Sequence, residues 1–320
     1  MTARTTRRTT AAHSRIAAVS AIAVAGALLL TACGDQTSSG SGTKESGGAS
    51  SSAALFSKLP KKYQDAKVIK VGTDAAYAPM EYEEGGKIVG IDPDIATALG
   101  KELGVTFQFT SGTFDGLISS LNTGRQDVVM SAMSDTKARQ EGLDDKGKKV
   151  GEGVDFVDYF TSGVSLLVKK GNPDKIQSLD DLCGKKVAVQ RGTIYETTFK
   201  TQAAKCTKDG KGTLTIEAFD TDAEAQTRVK SGGAVADLND YPVAAHIAKT
   251  AGGGNDFEVA GNQTDAGPFG IAVDKNNAQL RDALKEALTA IIKSGEYTKV
   301  LEKWDVKNSA VTEATINGGK

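Results

Sequence analysis

Arg139 is the residue of this sequence best suited to bind a carboxylate. It is one of five arginines that follow residue 33, in a chain that otherwise supplies positive charge with lysine. A planar guanidinium can donate two parallel hydrogen bonds to a carboxylate, whereas lysine acts as a point charge. Ser131 and Ser134 precede Arg139 in the segment VVMSAMSDTKARQ and add hydroxyl groups. By its type alone, Arg139 could equally be a surface residue at the start of a helix.

Two acidic residues, Asp74 and Asp240, follow or end strand-like runs, and a carboxylate is a suitable partner for an amine. Asp74 lies in TDAAYAP, and Asp240 ends VADLND. A charged amine needs such a partner once water is excluded. Asp240 also precedes Tyr241-Pro242, so its side chain could instead cap the helix that begins there.

Two aromatic residues, Tyr77 and Phe114, could pack against a bound molecule, because flat rings bury a large area with few degrees of freedom. Tyr77 lies in a predicted loop, which favours a binding role. Phe114 shares a helical stripe with Leu117 and Leu121 and could equally belong to the core.

The residues around these side chains alternate between strand-like and helix-like patterns. Strands are expected at residues 68–72, 105–109 and 127–133, and helices at residues 92–103 and 114–123. Asp92 is predicted to cap the first helix, with Pro93 at the first helical position and Gly104 ending it. This alternation indicates an α/β layer, in which ligands bind at loops beyond the strand ends.

The second half of the chain repeats this alternation. Strands are expected at residues 186–190, 214–219 and 235–240, and helices from residue 194, at residues 222–230 and at residues 241–249. Leu280, Leu284, Leu288 and Ile291 form the stripe of a long later helix that Gly295 ends.

The chain resembles the bacterial extracellular solute-binding proteins of family 3, which serve ABC importers of polar amino acids. The matching segments are TDAAYAP, IVGIDPDIATALGKELG, FDGLISSLNTGRQDVVMSAMSDTKARQ and VDFVDYF, and the resemblance extends over residues 67–306. It implies an α/β, two-lobe periplasmic-binding-protein fold of the type II (clamshell) kind, with two crossing strands. Lobe one would comprise residues 61–161 and 267–310, lobe two residues 162–266, and residues 311–320 a tail.

The resemblance also implies the ligand-binding residues. Arg139 would bind the carboxylate of an amino acid with help from Ser134 and from amides near Thr193 and Ile194. Asp240 would bind the ammonium with help from Ser131. Tyr77 and Phe114 would enclose the side chain, and Asp74 would accept a hydrogen bond from a basic or amide group.

Four residues that lie close in sequence to Thr193 and Asp240 have predictions of their own. The position of Ile194 often carries a hydroxyl in the family, so a side-chain contact there would be lost while a backbone contact would remain. Asp237 is expected at an exposed sheet edge, outside the site. Tyr195 and Glu196 are further candidates to reach the cleft.

The resemblance implies a binding protein rather than an enzyme. An amino acid would be captured by lobe closure and delivered to an ABC permease with its ATPase subunit; the sequence has no G-x-x-x-x-G-K-[ST] motif and no second apolar span. Two alternatives are a solute sensor and a fold-related enzyme of the dehydratase or cell-wall lyase type. For an enzyme, His246 lies in a predicted helix without a recognisable partner. The sequence suggests a monomer and gives no sign of a metal, cofactor or nucleic-acid site.

Residues 1–32 have the anatomy of a lipoprotein signal peptide: a basic start, an apolar run and the sequence LTAC, in which Cys33 would receive lipid. A transmembrane helix is the alternative, but the run is short for a span. Arg7-Arg8 leaves open twin-arginine rather than general export. Residues 33–60, rich in serine and glycine, would be a flexible linker between the membrane and the domain. The protein would thus be lipid-anchored on the extracytoplasmic face of the cell membrane.

Charge and cysteine content agree with export. The formal net charge of −1 becomes more negative once the four arginines of the signal are removed, which does not favour nucleic-acid binding. After Cys33 only Cys183 and Cys206 remain. An exported pair in one lobe suggests a disulfide, with two separate thiols as the alternative.

Overall fold

A computed structural model describes residues 53–144 and 146–320, without the side chains of residues 265 and 266. The predicted signal peptide, the lipidation at Cys33 and most of the predicted linker lie outside the described residues. Within the described part, no helix combines the length and the apolar character that a membrane span requires.

Most of the strands form one curled sheet in the order β5-β1-β6-β11-β7-β10-β8-β9, with β12 beside β7. A separate antiparallel sheet contains β2, β3 and β4. The bounds are β1 (Val68–Thr73), β2 (Ala76–Tyr77), β3 (Glu81–Glu84), β4 (Lys87–Val89), β5 (Thr106–Ser111), β6 (Val128–Val129), β7 (Val154–Lys169), β8 (Lys186–Gln190), β9 (Thr215–Phe219), β10 (Ala236–Asp240), β11 (Phe257–Asp274) and β12 (Thr315–Ile316).

The α-helices pack against this sheet and against one another. Their bounds are α1 (Lys61–Ala66), α2 (Ile91–Leu103), α3 (Leu117–Asn122), α4 (Lys137–Glu141), α5 (Ile194–Lys208), α6 (Asp222–Lys230), α7 (Tyr241–Thr250), α8 (Ala278–Ser294) and α9 (Glu296–Lys303). Short 3-10 helices, among them Phe114–Gly116 and Leu179–Leu182, complete the connections.

Two long antiparallel strands, β7 and β11, run through both halves of the sheet. We use "lobe one" for the part built on β1, β5 and β6, and "lobe two" for the part built on β8, β9 and β10. β7 pairs with β10 in lobe two, and β11 pairs with β6 in lobe one. Three register shifts interrupt the β7–β11 pairing between Ala260 and Gly270. The connection between the lobes is therefore a two-stranded ribbon with an irregular central stretch.

The helical stripes behave as their spacing predicts. In α2, Ile95, Leu99 and Leu103 are completely buried, and Gly104 ends the helix in the left-handed conformation with φ 66°. In α8 the four predicted stripe residues are buried, and Gly295 ends the helix with φ 81°. These helices hold the strands of lobe one, whose loops carry the polar residues discussed below.

Three local predictions are wrong. Gly90, not Asp92, precedes the first turn of α2. Asp92 lies inside the helix and is completely buried, and the Tyr159 hydroxyl and the Ala132 amide donate hydrogen bonds to its carboxylate. The strand expected at residues 127–133 covers only Val128–Val129. Asp237 is completely buried rather than exposed, since β10 lies between β7 and β8.

Both ends of the described chain are more ordered than the sequence suggests. Residues 53–60, assigned above to the linker, include the 3-10 helix Phe56–Lys58, and Leu59 is completely buried. Residues 311–320, assigned to a tail, include β12, which pairs with β7.

Cys183 and Cys206 form a disulfide, as expected, with 23 residues of sequence separation. Cys206 is completely buried on α5, and Cys183 follows the 3-10 helix Leu179–Leu182. The bond thus ties α5 to the segment that precedes β8.

We expect loss of this disulfide to destabilise the protein by about 3 kcal/mol, because the unfolded chain gains loop entropy. Thermal unfolding of the Cys183→Ser, Cys206→Ser double variant should show a melting temperature lower by about 5–10 °C. Dithiothreitol should lower the wild-type value similarly and leave the variant unchanged. Equal melting temperatures with and without reductant for the wild type would contradict the prediction.

Candidate functional site

A small polar cavity lies between the lobes, where the ends of several strands meet. Its volume is about 20 Å³, enough for about one water molecule. All nine predicted ligand-binding residues line it, together with Glu81, Ala132, Gln190 and Tyr195; the nine are Asp74, Tyr77, Phe114, Ser131, Ser134, Arg139, Thr193, Ile194 and Asp240. An amino acid would fit only if the lobes stood further apart.

Arg139 lies on α4 and extends from lobe one towards lobe two. Its Nη1 donates to the carbonyl of Ser134 at 2.7 Å, and its Nη2 donates to the carbonyl of Gly192 in lobe two at 3.1 Å. The guanidinium carbon lies 5.4 Å from the centre of the Phe114 ring. Burial lowers the pKa of Arg139 to about 10, so the side chain remains charged at neutral pH.

The amino end of α5 faces Arg139 across the cavity. Thr193 caps this helix, and its hydroxyl accepts a hydrogen bond from the amide of Glu196 at 3.2 Å. Amides in the first turn of a helix have no partner within the helix and favour an anion. Ile194 lines the cavity at this point, so a carboxylate contact here would use its backbone amide. Glu196 instead accepts a hydrogen bond from the amide of Gly192 and does not line the cavity.

Asp240 is buried at the end of β10. The Tyr77 hydroxyl of lobe one donates to its Oδ2 at 2.7 Å, and the side chain makes no capping hydrogen bond to α7. Burial raises the pKa of Asp240 to about 7, although the neighbouring hydroxyl groups of Tyr195, Tyr77 and Ser162 oppose the shift. Asp240 was predicted either to bind an amine or to cap α7, and the structure shows no side-chain hydrogen bond of the capping kind.

Asp74 also bonds across the lobes. It is buried at the end of β1, and Gln190, the last residue of β8, donates its side-chain amide to Asp74 Oδ2. Burial raises the pKa of Asp74 to about 6, and the hydrogen bond from Gln190 opposes that shift. A cationic group placed between them would favour the ionised form.

Ser131 links the cavity to a buried acid pair in lobe one. Its Oγ accepts from the Asp74 amide at 2.9 Å and donates to Glu81 at 2.8 Å. Burial and the neighbouring Asp92 raise the pKa of Glu81 well above its usual value. The Tyr159 hydroxyl of β7 donates to Asp92 at 2.7 Å. This chain of bonds fixes the backbone of residues 131 and 132, where Ala132 adopts φ 44°.

Two buried polar atoms on the cavity wall lack a hydrogen-bond partner among the described residues. They are Glu81 Oε2 and the Tyr195 hydroxyl, which lies near Asp240. Such groups are costly unless something polar reaches them. The wall thus favours a polar molecule over an apolar one.

Carboxyl groups outnumber basic groups around the cavity. Among the described residues that line the wall, Arg139 is the only arginine or lysine, against the carboxyl groups of Asp74, Glu81 and Asp240. Asp222 and Asp237 form a further buried pair in lobe two, and burial raises the pKa of both. This excess of carboxyl groups favours a molecule with more cationic than anionic groups.

Sequence reasoning missed Glu81 and Gln190. Gln190 carried a readable signal, because it ends a buried parallel strand on the edge where ligands bind. Glu81 carried none: it stands in EYEE, and nothing there distinguishes the buried glutamate from its exposed neighbours. No described group of three or more His, Cys, Asp or Glu residues is arranged to hold a metal ion.

Known proteins resemble this chain over most of its length. The arginine-binding protein ArgT of Corynebacterium glutamicum is 28% identical over 261 residues, covering 81% of this chain and 81% of that protein. The L-cystine-binding protein TcyJ of Escherichia coli is 30% identical over 249 residues, covering 77% of this chain and 85% of that protein. Both are named as binding proteins.

Among solved structures, an ancestral arginine-binding protein bound to arginine is 36% identical, with a TM-score of 0.65, and the match covers 74% of this chain and 98% of that one. The predicted two-lobe type II fold is thereby confirmed. The sequence profile of bacterial extracellular solute-binding proteins, family 3, matches residues 69–307. Since that match spans well over half of the sequence, the chain belongs to the bacterial extracellular solute-binding proteins of family 3.

Proposed function

We propose that this protein captures a basic L-amino acid between its lobes and delivers it to an ABC permease, with a polar amide amino acid as the second choice of ligand. The observation that carries the proposal is a set of three hydrogen-bonded pairs that bridge the cleft. They are Arg139 with the Gly192 carbonyl, Tyr77 with Asp240, and Gln190 with Asp74.

Each bridging pair contains a group that matches one part of an amino acid. Arg139 and the amides of α5 suit the α-carboxylate. Asp240 suits the α-ammonium, and Asp74 suits a cationic side chain. When the lobes separate, the three pairs break and all three charged groups face solvent. A bound amino acid then supplies the partners that each group needs when the lobes close and exclude water.

The excess of buried carboxyl groups favours a basic side chain. An α-ammonium and a side-chain cation would together bring two positive charges to Asp240 and Asp74, while Arg139 would neutralise the α-carboxylate. Two of the similar proteins are named for arginine, which agrees with this choice. Tyr77 and Phe114 are placed to enclose the aliphatic part of such a side chain.

The proposed location rests on the signal-like start of the sequence, and the proposed partners rest on the family. We propose a lipid anchor at Cys33, a tether that ends before the packed residues 53–60, and a monomeric two-lobe domain on the extracytoplasmic face of the membrane. In this domain, lobe one comprises residues 61–161 and 267–310, and lobe two comprises residues 162–266. The permease and its ATPase subunit are the proposed partners.

A solute sensor and a fold-related enzyme are the competing functions. His246 lies on α7 and is not among the residues that line the cavity, so it does not support an enzyme of that site. Incubation with a bound amino acid and analysis by mass spectrometry separates the enzyme from the other two. Uptake of labelled amino acid by cells that lack the protein separates import from sensing.

A thermal-shift screen against the common amino acids tests the ligand class. A ligand at a hundred times its dissociation constant stabilises by about 2.7 kcal/mol, which is readily measured. We expect the largest shift from arginine or lysine, a smaller one from glutamine or histidine, and none from glutamate. In Asp74→Asn the preference for the basic ligands should decrease. A shift from glutamate alone would contradict the role given to Asp74.

Arg139→Lys should weaken amino-acid binding about a hundredfold, because a lysine cannot form the bidentate contact. The matched control is Arg125→Lys on an exposed stretch of lobe one, which should bind like the wild type. Isothermal titration calorimetry gives both constants, and thermal unfolding without ligand checks that both variants fold. Wild-type affinity in Arg139→Lys would refute the carboxylate assignment.

Affinity for L-arginine should fall as the pH is lowered from 8 to 5. The pKa values of Asp240 and Asp74 are raised to about 7 and about 6, so both groups take up protons in this interval and lose their attraction for a cation. The loss should approach about tenfold per pH unit below pH 7 and become steeper below pH 6. In Asp74→Asn the steeper part should disappear. An affinity independent of pH would contradict the pairing of the ligand's cations with these carboxylates.

A further inference from the structure

The last residues of the sequence lie against lobe one beside the strand that leads to the other lobe. Thr315 and Ile316 pair with Asp158 and Val157 of β7. The amide of Asn317 donates to the Phe156 carbonyl at 3.1 Å, and the Asn317 side chain accepts from the Phe156 amide at 2.8 Å. The segment is thus held as an added short strand and not as a loose tail.

Beyond this strand, two successive glycines donate to two buried carboxylates. The amide of Gly318 donates to Asp158 Oδ2 at 2.9 Å, and the amide of Gly319 donates to Asp135 Oδ2 at 2.7 Å. Asp158 and Asp135 are 1% and 3% exposed, so neither carboxylate has water as a ready substitute. Hydrogen bonds to charged groups in such places are stronger than average, and their loss is correspondingly costly.

Asp135 belongs to the turn that carries the proposed carboxylate-binding residues Ser134 and Arg139. Its second oxygen accepts from the Gln140 side chain at 2.6 Å, and its amide donates to the Pro268 carbonyl of β11 at 2.9 Å. The amide of Lys137, at the start of α4, donates to the carbonyl of Lys320 at 3.2 Å. Residues 319 and 320 therefore bond to both sides of the turn.

The approach at Gly319 leaves no room for a side chain. A Cβ atom there would lie 2.0 Å from the Asp135 carbonyl oxygen, which as a backbone atom cannot turn away. At Gly318 a Cβ atom would lie 2.7 Å from a carboxylate oxygen of Asp158, which is a longer distance and involves a side-chain atom rather than a backbone atom. A methyl group at residue 319 should thus displace the segment more than one at residue 318.

We propose that residues 315–320 are a brace for the turn formed by residues 134–140, and that Gly319 is a positioning residue for Arg139. The effect on ligand binding rests on the function proposed above. With the brace in place, the Asp135 carboxylate fixes the turn of residues 134–140 beside β7 and β11. Arg139 is then held in the direction of Gly192. Without the brace, the Asp135 carboxylate keeps the hydrogen bond from Gln140 and loses the one from Gly319. The amide of Lys137, at the start of α4, loses its bond to the Lys320 carbonyl.

Gly319→Ala tests the brace, with Gly151→Ala as the matched control. A Cβ atom at residue 151 would have open space around it, and neither glycine has a positive φ. Hydrogen exchange of the full protein without ligand should show about tenfold faster exchange at the amides of Asp135 and Gln140 in Gly319→Ala. The control should match the wild type, and Gly318→Ala should fall between them.

Calorimetric titration with L-arginine then tests the link to binding. We expect about tenfold weaker binding in Gly319→Ala, unchanged binding in Gly151→Ala, and an intermediate value in Gly318→Ala, which also replaces Gly319→Ala if that variant does not fold. Unchanged exchange at residues 134–140 would overturn the brace, whether or not the protein binds arginine. Faster exchange with unchanged affinity would overturn the positioning role. If the wild type binds no amino acid, the proposed function fails, and the exchange rates still decide on the brace.

Discussion

The hydrogen bond between the Tyr77 hydroxyl and the Asp240 carboxylate joins the two lobes in the interior of the cleft. Asp240 is buried, and a buried carboxylate is unfavourable unless donors surround it. Tyr77 supplies one donor from lobe one, and burial nevertheless raises the pKa of Asp240 to about 7. A cation in the same place would favour the ionised carboxylate. Under the proposed function, the closed cleft is thus stabilised most by a molecule that brings positive charge.

The same reasoning extends to the rest of the wall. Asp74 depends on Gln190, and Arg139 depends on the Gly192 carbonyl, so each charged group of lobe one relies on a group of lobe two. The strands place these groups at the facing ends of β1, β8 and β10, and β7 and β11 are the long covalent links between the lobes. The register shifts in that pair give a connection in which a change of backbone angle breaks few regular hydrogen bonds. In the proposed mechanism, closure and charge pairing are therefore coupled through one ribbon.

The fold was largely readable from the sequence because its signals are local. The stripes of α2 and α8, their glycine stops, and the buried run of β8 depend on neighbours within a few residues. The roles of Arg139 and Phe114 were readable only through resemblance: by residue type and spacing alone, Arg139 could equally have been a surface residue and Phe114 a core residue.

Asp92 shows why contacts between distant residues could not be predicted. Its neighbour Pro93 indicates a helix start, but its acceptors are used by Tyr159 and Ala132, which are distant in sequence. Likewise, nothing in NGGK indicates that Gly319 meets Asp135.

The most direct test of this account is a crystal structure of the protein grown with L-arginine. The account predicts the α-carboxylate in contact with Arg139 and the amides at Ile194 and Tyr195, the α-ammonium at Asp240, and the guanidinium at Asp74. It also predicts that the Gln190 side chain no longer donates to Asp74. Arginine bound elsewhere, or bound with its carboxylate away from Arg139, would contradict the claim that the lobes close on an amino acid through these three groups.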